Sequence, residues 1–473
     1  MARFICNNQL YDTMNIKKSL IFIFCSITVS FAQQSLVNFS HLNKLIEPIV
    51  FKGDSVEIVH IYSDYPEYEW VDAGEEGIAC VDDAARASVA YLRYYEITKD
   101  QLSLRRAKKL LRFILAMQSN DGLFYNFINA DHSINRTGKT SFRSLGWWTA
   151  RGVWSLGLGC RIFEKNDPMF SAKLRAAVEQ VFPHLDTLLL SYGSTRKISG
   201  YTIPEWLLYE SGSDATTELI LGLTEYYKMT RADRVRTYIM KLCQGMIVMQ
   251  NGNVQEYPYG LHRSWQTMWH AWGNSQTQVL AEAGFVLDES TLIESAQKEA
   301  DGYYTRLLIK GFKREFDVAD TSNHREFEQI AYDIRPITVG LLRLYEATND
   351  SVYLTMAKIA ASWFFGNNAA GVRMYDPSTG LCFDGIQNAL EYSKNSGAES
   401  TIEALNSLIE LQPYVLNDTL FPLRRTKHFE SNSILFGIFS HENEDLGLVV
   451  DKIKGTVHIL KGNVLSEFEK TFQ

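Results

Sequence analysis

Four acidic positions stand where polar, aromatic-rich sequence gives way to an apolar helix: Asp82-Asp83, Asp214, Asp333 and Glu399. Hydrolysis of a glycosidic bond needs two carboxylates across the scissile bond, one giving a proton and one acting as base or nucleophile. An Asp at such a boundary also caps the following helix by accepting its orphan amides. One carboxylate suffices for a cap, so the adjacent pair Asp82-Asp83 leaves a group to be explained by chemistry. Asp72, Glu75 and Glu76 lie just upstream and thicken the acidic patch. Glu205, Glu210, Asp376 and Asp384 are further candidates in segments of the same kind.

Those segments also carry Tyr62, Tyr65, Tyr68, Trp70, Phe124, Tyr125, Tyr201, Trp206, Tyr257, Tyr259, Trp265 and Trp269. Trp147 and Trp148 open the next apolar helix. Singly, such a ring plugs a loop into the core. As a population the rings suit sugars, whose C–H faces pack on aromatic faces while their hydroxyls meet carboxylates and amides. His262-Arg263 and His324-Arg325 would grip a substrate carboxylate. An acidic sugar would bring β-elimination by a polysaccharide lyase into play, with a Tyr or His as base. A non-catalytic glycan-binding protein is the other alternative.

What must position these residues is a repeat. The segments 85–100, 152–167, 217–233 and 338–350 are each an apolar helix with small residues, an aromatic–acidic or aromatic pair near the end, and a polar turn closing on Asp. Segments 275–290 and 400–414 are weaker copies. Measured at Thr98, Lys165, Thr230, Leu287, Thr348 and Pro413, the spacings are 67, 65, 57, 61 and 65 residues. After each turn comes a more charged amphipathic helix, as in 103–118, 171–190 and 352–366, with one wet face. The first helix of each pair is apolar around most of its circumference and belongs to an inner ring; the second belongs to an outer one. With residues 34–50 read as an unpaired outer helix and 398–412 as an unpaired inner one, the count is twelve. The expectation is an all-α (α/α)6 toroid rather than an open solenoid of stacked pairs.

Outer-to-inner connections over 51–81, 119–145, 192–213, 250–273, 312–332 and 367–397 are long, and by antiparallel alternation they share one rim. Long loops in a compact fold carry function. Residues 415–473 alternate in the manner of strands and form a short β-rich tail after a catalytic domain over 33–414.

The chain has 473 residues, 46% hydrophobic and 22% charged, with net charge −8, so it can bury a large core. An acidic chain without a basic tract is a poor partner for nucleic acid. Residues 14–32 read as a secretory signal, with Lys17 and Lys18 before an apolar run and Ser30-Phe31-Ala32 as cleavage site. The thirteen residues before Met14 read as an upstream start, which would make Met14 the initiator. The expectation is an exported protein, periplasmic or extracellular, with no membrane span after residue 33. Cys80, Cys160, Cys243 and Cys382 are far apart without a C-x-x-C pair, as for buried small hydrophobes rather than a zinc site. No cofactor is called for, and calcium has no support in the spacing.

Two segments, GIACVDDAARASVAYLRYYE (77–96) and the stretch over 363–411, resemble a helical domain found in bacterial proteins with glycosyltransferases and related carbohydrate enzymes. Its motifs are Asp-Asp-Asn-Ala-Arg-Ala near the start, then a Gly-Arg-Asn loop, Tyr-Asp-Pro-x-Thr-Gly and Gly-Ala-Glu-Ser-Thr. Ala84 replaces its Asn and Asn367 its Arg, while Asp82, Asp83, Arg86, Asn368, Asp376, Asp384 and Glu399 keep their types. A more distant resemblance is to inverting family-nine glycoside hydrolases, also six-hairpin toroids. VDAGEEG (71–77) is similar to their Asp-Ala-Gly-Asp loop, with Glu75 where a catalytic Asp is expected. This resemblance implies a secreted glycoside hydrolase with Glu399 as proton donor and Asp82 or Asp83 as base on a poly- or oligosaccharide. The surrounding Glu75, Glu76, Arg86, Trp147, Trp148, Glu205, Tyr257, His262, Arg263, Trp265, Asp333, Asp376 and Asp384 are the expected substrate contacts.

Overall fold

Small residues decide how closely the repeated helices approach. The computed structural model describes residues 35–72, 74, 76–416 and 418–471; the signal-like segment 14–32 and Glu75 lie outside the described residues. The helices are α1 (Ser40–Leu45), α2 (Val81–Thr98), α3 (Gln101–Met117), α4 (Trp147–Asn166), α5 (Pro168–Glu179), α6 (Phe182–Leu188), α7 (Ser213–Thr230), α8 (Asp233–Met249), α9 (Gln276–Leu287), α10 (Ser290–Glu299), α11 (Thr305–Lys310), α12 (Ala331–Thr348), α13 (Ser351–Ala361), α14 (Ala398–Val415) and α15 (Gly462–Lys470). Helices α2, α4, α7, α9, α12 and α14 each pack on the next, and α14 packs back on α2. The ring is closed, an (α/α)6 toroid and not an open solenoid. The α4–α7 crossing is tightest: a Cβ on Gly157 would stand 2.3 Å from the Gly222 carbonyl oxygen, and one on Gly222 2.4 Å from that of Val153.

Outer positions are filled by α3, α5–α6, α8, α10–α11 and α13. The polar turns between inner and outer helices have a local cause. Lys99, Arg231 and Asn349 adopt the left-handed conformation (φ 62°, 53° and 57°) and return their amides to the carbonyls of Tyr95, Tyr227 and Tyr345. Asp100, Asp167 and Asp350 then accept amides of the next helix as N-caps. The two caps occur together at Lys99-Asp100 and Asn349-Asp350, whereas the α4–α5 turn has the Asp cap alone and the α7–α8 turn the left-handed residue alone.

One expected element is different. Residues 34–50 do not form an outer helix: the short α1 leads into an antiparallel hairpin, Ile46–Phe51 with Asp54–Val59, which packs against α3. Lys52 and Gly53 (φ 50° and 83°) make the two-residue turn, whose twist matches the strands. Pro48 and the β-branched Ile46, Ile49, Val56, Ile58 and Val59 favour strand over helix here.

The C-terminal residues form a four-stranded antiparallel sheet, Arg424–Glu430, Ile434–His441, Glu444–Asp451 and Thr456–Lys461 in sequence order, followed by α15. Alternation splits its faces. Leu435, Phe439, Leu446, Leu448 and Val450 join the main core, whereas Phe436, Ile438 and Val449 gather under Leu465 of α15. All four described cysteines are buried and free. Among the described residues no helix is long and apolar enough to cross a membrane, and no group of three or more His, Cys, Asp or Glu is placed to hold a metal.

Candidate active site

The N-termini of α2, α12 and α14 meet at a cavity of about 410 Å³. Asp82, Asp83 and Arg86 reach it from the first two turns of α2, Arg151 from α4, Tyr332 from α12, and Glu399 and Ser400 from α14. Loop residues Tyr62, Glu76, Arg314, Glu328 and Asp384 complete the wall. Long loops therefore converge on one rim, and helix N-termini give the bowl a partial positive charge against its acidic side chains.

A chain of alternating charges runs through the inner ring and surfaces at both ends in this cavity. Glu399 Oε2 accepts from Arg86 Nη1 at 3.0 Å, and the same nitrogen donates to Glu403 Oε1 at 3.0 Å. Glu403 accepts from Arg335 at 2.7 Å, and Arg335 approaches Glu218 at 3.3 Å. The Tyr332 hydroxyl donates to Glu218 at 3.0 Å and accepts from Arg151 at 2.8 Å. Arg151 Nη1 then meets Asp82 Oδ2 at 2.8 Å. Arg86, Arg335, Glu218 and Glu403 are buried, and each buried charge meets an opposite one.

The adjacent aspartates have different roles in this network. Asp83 is buried; Oδ1 accepts from Arg86 at 2.7 Å and Oδ2 lies 3.2 Å from the Cys80 thiol. Burial raises the Asp83 carboxyl above its ordinary range, with Arg86 opposing. Asp82 has one oxygen on Arg151, while Oδ1 has no hydrogen-bond partner. The Glu399 side chain is 46% exposed, open to a ligand despite its contact with Arg86. Asp384 accepts from the Gly397 amide at 2.7 Å and the Ser400 hydroxyl at 2.6 Å, which fixes the start of α14. Burial raises the carboxyls of Asp384 and Glu328, against those hydrogen bonds in the first case and Arg314 in the second.

Of the expected contacts, Glu76, Arg86 and Asp384 line the bowl. Trp147 stands beside it, with the Arg151 guanidinium 4.8 Å from its ring and Trp272 at 5.8 Å. Others are placed elsewhere. His262 is fully buried between Glu299 at 2.8 Å and Ser295 at 3.0 Å. Arg263, also buried, donates to the carbonyls of Met249, Gln266, Thr202 and Val248, so neither can grip a substrate. Asp333 is buried and caps α12 by accepting the Ile330 amide at 2.9 Å; burial pushes its carboxyl up to about 8. Asp376 closes its own turn on Ser378 and Thr379. Glu205 pairs with Arg196, Trp148 is buried, Trp265 sits on an exposed turn, and Tyr257 lines a separate cavity. Several rim aromatics serve as plugs: Phe124, Trp206 and Trp269 are buried, and Trp70 stacks on His60 at 3.8 Å.

Residue type and position alone do not single out Arg151, Arg314, Glu328 and Tyr332, which also line the bowl. A signal for the first is present: Arg86, Arg151 and Arg335 recur at the fifth or sixth position of inner helices that are mostly apolar. Charges inside such helices must be paired, and their recurrence at one level marks a layer.

A family model described as Glycosyl hydrolase family 9 matches residues 70–375. No curated protein matches the chain. Among solved structures, a sugar epimerase from a ruminal bacterium aligns at TM-score 0.56 and 14% identity over 81% of this chain and 97% of its own. Cellobiose 2-epimerase from Bacillus thermoamylovorans B4167 aligns at 0.51 and 12%, covering 79% and 94%. A D-mannose isomerase aligns at 0.53 and 12%, covering 76% and 92%. These likenesses are of fold.

Proposed function

The chain belongs to glycosyl hydrolase family 9, and from that premise we propose that it hydrolyses glycosidic bonds in an oligo- or polysaccharide, with Glu399 as proton donor and Asp82 as base. The observation that supports this reading most is the charge chain that brings these two carboxylates into one cavity, anchored by Arg86 and Arg151. Asp83 has both oxygens engaged and is buried, whereas the Asp82 side chain is 17% exposed in the wall of the bowl with Oδ2 on Arg151, which makes Asp82 the member of the pair that faces a substrate. In the step, Glu399 gives its proton to the glycosidic oxygen as the anomeric C–O bond breaks. A water attacks the anomeric carbon and passes a proton to Asp82. Inversion goes with carboxylates about 6.5–9.5 Å apart, which leaves room for that water.

Charge favours a neutral glycan over a uronate, and hydrolysis over elimination. Six carboxylates line the bowl (Glu76, Asp82, Asp83, Glu328, Asp384, Glu399) against three guanidiniums, of which Arg86 and Arg151 are ion-paired and Arg314 meets Asp333 at 3.4 Å. A substrate carboxylate would meet repulsion there. We take residues 33–414 as the catalytic body with 415–473 appended, and the signal-like residues 14–32 put the enzyme outside the cytoplasm. The test is incubation with a panel of neutral and acidic polysaccharides. Reducing ends released without ultraviolet-absorbing unsaturated products support hydrolysis; unsaturated products would show a lyase, and neither product on any member would leave a binding protein.

A further inference from the structure

A pair of cavities lies beside α11, which packs on the C-terminal sheet. One, of about 170 Å³, is lined by Tyr257, Tyr259, Tyr303 and Phe316; the other, of about 460 Å³, by Phe327, Asn367 and the start of the sheet. Leu307, Lys310, Gly311 and Lys313 line both, so they form one trough. The short segment 326–330 separates it from the bowl: Glu328 and Ile330 line the bowl, while Phe327 and Gln329 line the trough.

The two sides of this wall differ in charge. The trough is lined by Arg306, Lys310, Lys313, Arg424 and Arg425, with His324 at one end, and by a single carboxylate, Glu326. Lys310 pairs with Glu430 at 2.6 Å outside the lining, whereas Lys313 and Arg424 make no ion pair among the described residues. Arg306 is 7% exposed, donates to the carbonyls of Gly302 at 2.6 Å and Val254 at 2.9 Å, and lies 3.6 Å from the centre of the Tyr259 ring. Carbonyls satisfy Arg306 as they do Arg263, so Lys313 and Arg424 are the cations left to meet an anion.

A polar group points to the same conclusion. Tyr303 is 6% exposed and its hydroxyl has no hydrogen-bond partner. It is carried by a π-helical turn, Ala300–Tyr304, between α10 and α11; such turns gather at functional sites. The turn is held against the Tyr257 loop so closely that a Cβ on Gly302 would stand 2.0 Å from the Tyr259 carbonyl oxygen. Aromatic faces, an unused hydroxyl and unpaired cations together fit a sugar ring bearing an anionic group.

We propose that this trough is a second glycan site, selective for a chain carrying carboxylate or sulfate groups, separate from the neutral-sugar bowl behind it. The experiment is calorimetric titration of full-length Asp82→Asn protein at low ionic strength with trigalacturonate, lactose 6′-sulfate, cellotriose and inorganic sulfate. Asp82→Asn is used so that failure here leaves the hydrolytic reading of the bowl standing. One or both anionic sugars are expected to bind, identifying the carboxylate or the sulfate source. Affinity should fall at least tenfold in added Lys313→Glu/Arg424→Glu and at least fivefold in added Tyr257→Ala, with cellotriose failing to compete. Thermal melts of both variants matching the parent confirm that folding is intact. No binding by either anionic sugar, unchanged affinity in the charge-reversed variant, or inorganic sulfate binding as tightly as the sugars would overturn the proposal.

Discussion

Arg86 of the first inner helix and Glu399 of the last meet at 3.0 Å across the seam where the ring closes. The contact joins residues 313 positions apart, so closure of the toroid and assembly of the proposed acid are one event. Arg86 also holds Asp83 and Glu403, both buried. Replacing it with Met should leave the buried Asp83 without a counter-charge and Glu403 with Arg335 alone, at a cost of about 3–5 kcal/mol. Urea denaturation checks this; a loss below about 1 kcal/mol would mean that the network does not anchor the seam.

The glycine contact between α4 and α7 gives an independent check on the ring itself. Gly222→Ala would press a methyl into the Val153 carbonyl at 2.4 Å, so the helices must part. We expect a loss of about 1–3 kcal/mol, in line with overpacking elsewhere. An alanine variant as stable as the parent would show that the crossing is looser than described.

Much of this ring is legible in the sequence, because the repeat is enforced by physics at two levels. Inner helices must be apolar around most of their circumference, and a left-handed residue followed by an N-capping Asp marks the turns at Lys99-Asp100 and Asn349-Asp350. The hairpin at Ile46–Val59 was missed because its apolar residues also fit a helical period, and only Pro48 and the Lys52-Gly53 turn argue otherwise. The acidic pair and Glu399 stand out by type and position, and the fold brings them to one cavity. Burial could not: His262 and Arg263 look like surface-loop residues in sequence yet sit in the core, satisfied by Glu299 and by carbonyls brought from other elements.

That correction has a consequence for mutagenesis. His262→Ala removes the partner of the buried Glu299 and should lower stability by about 1–3 kcal/mol. Turnover per folded molecule should be unchanged, since the residue is fully buried outside the bowl. A selective fall in kcat with stability intact would return His262 to the reaction.

Asp333 sets a pH dependence. Its folded carboxyl is pushed up to about 8, mainly by burial, from an ordinary value near 3.8. Between these values the folded state holds a proton that the unfolded chain has lost, so the stabilisation is full below the lower value and fades as pH rises through about 8. Asp333→Asn keeps an acceptor for the Ile330 amide without the ionisation. Melting temperatures should therefore diverge in favour of the variant between pH 5 and pH 9. A constant difference across that range would show that Asp333 ionises alike in both states.

The central claim is that Glu399 gives the proton and Asp82 takes one. Leaving-group dependence tests it most directly, because an acid matters only when the departing oxygen needs protonation. Turnover of Glu399→Gln should fall about 10³-fold on a natural glycosidic linkage, yet by less than about 10-fold on the corresponding 2,4-dinitrophenyl glycoside. Asp82→Asn should lose about 10³-fold on both. Equal losses of Glu399→Gln on the two substrates, or full activity on the natural linkage, would contradict the assignment.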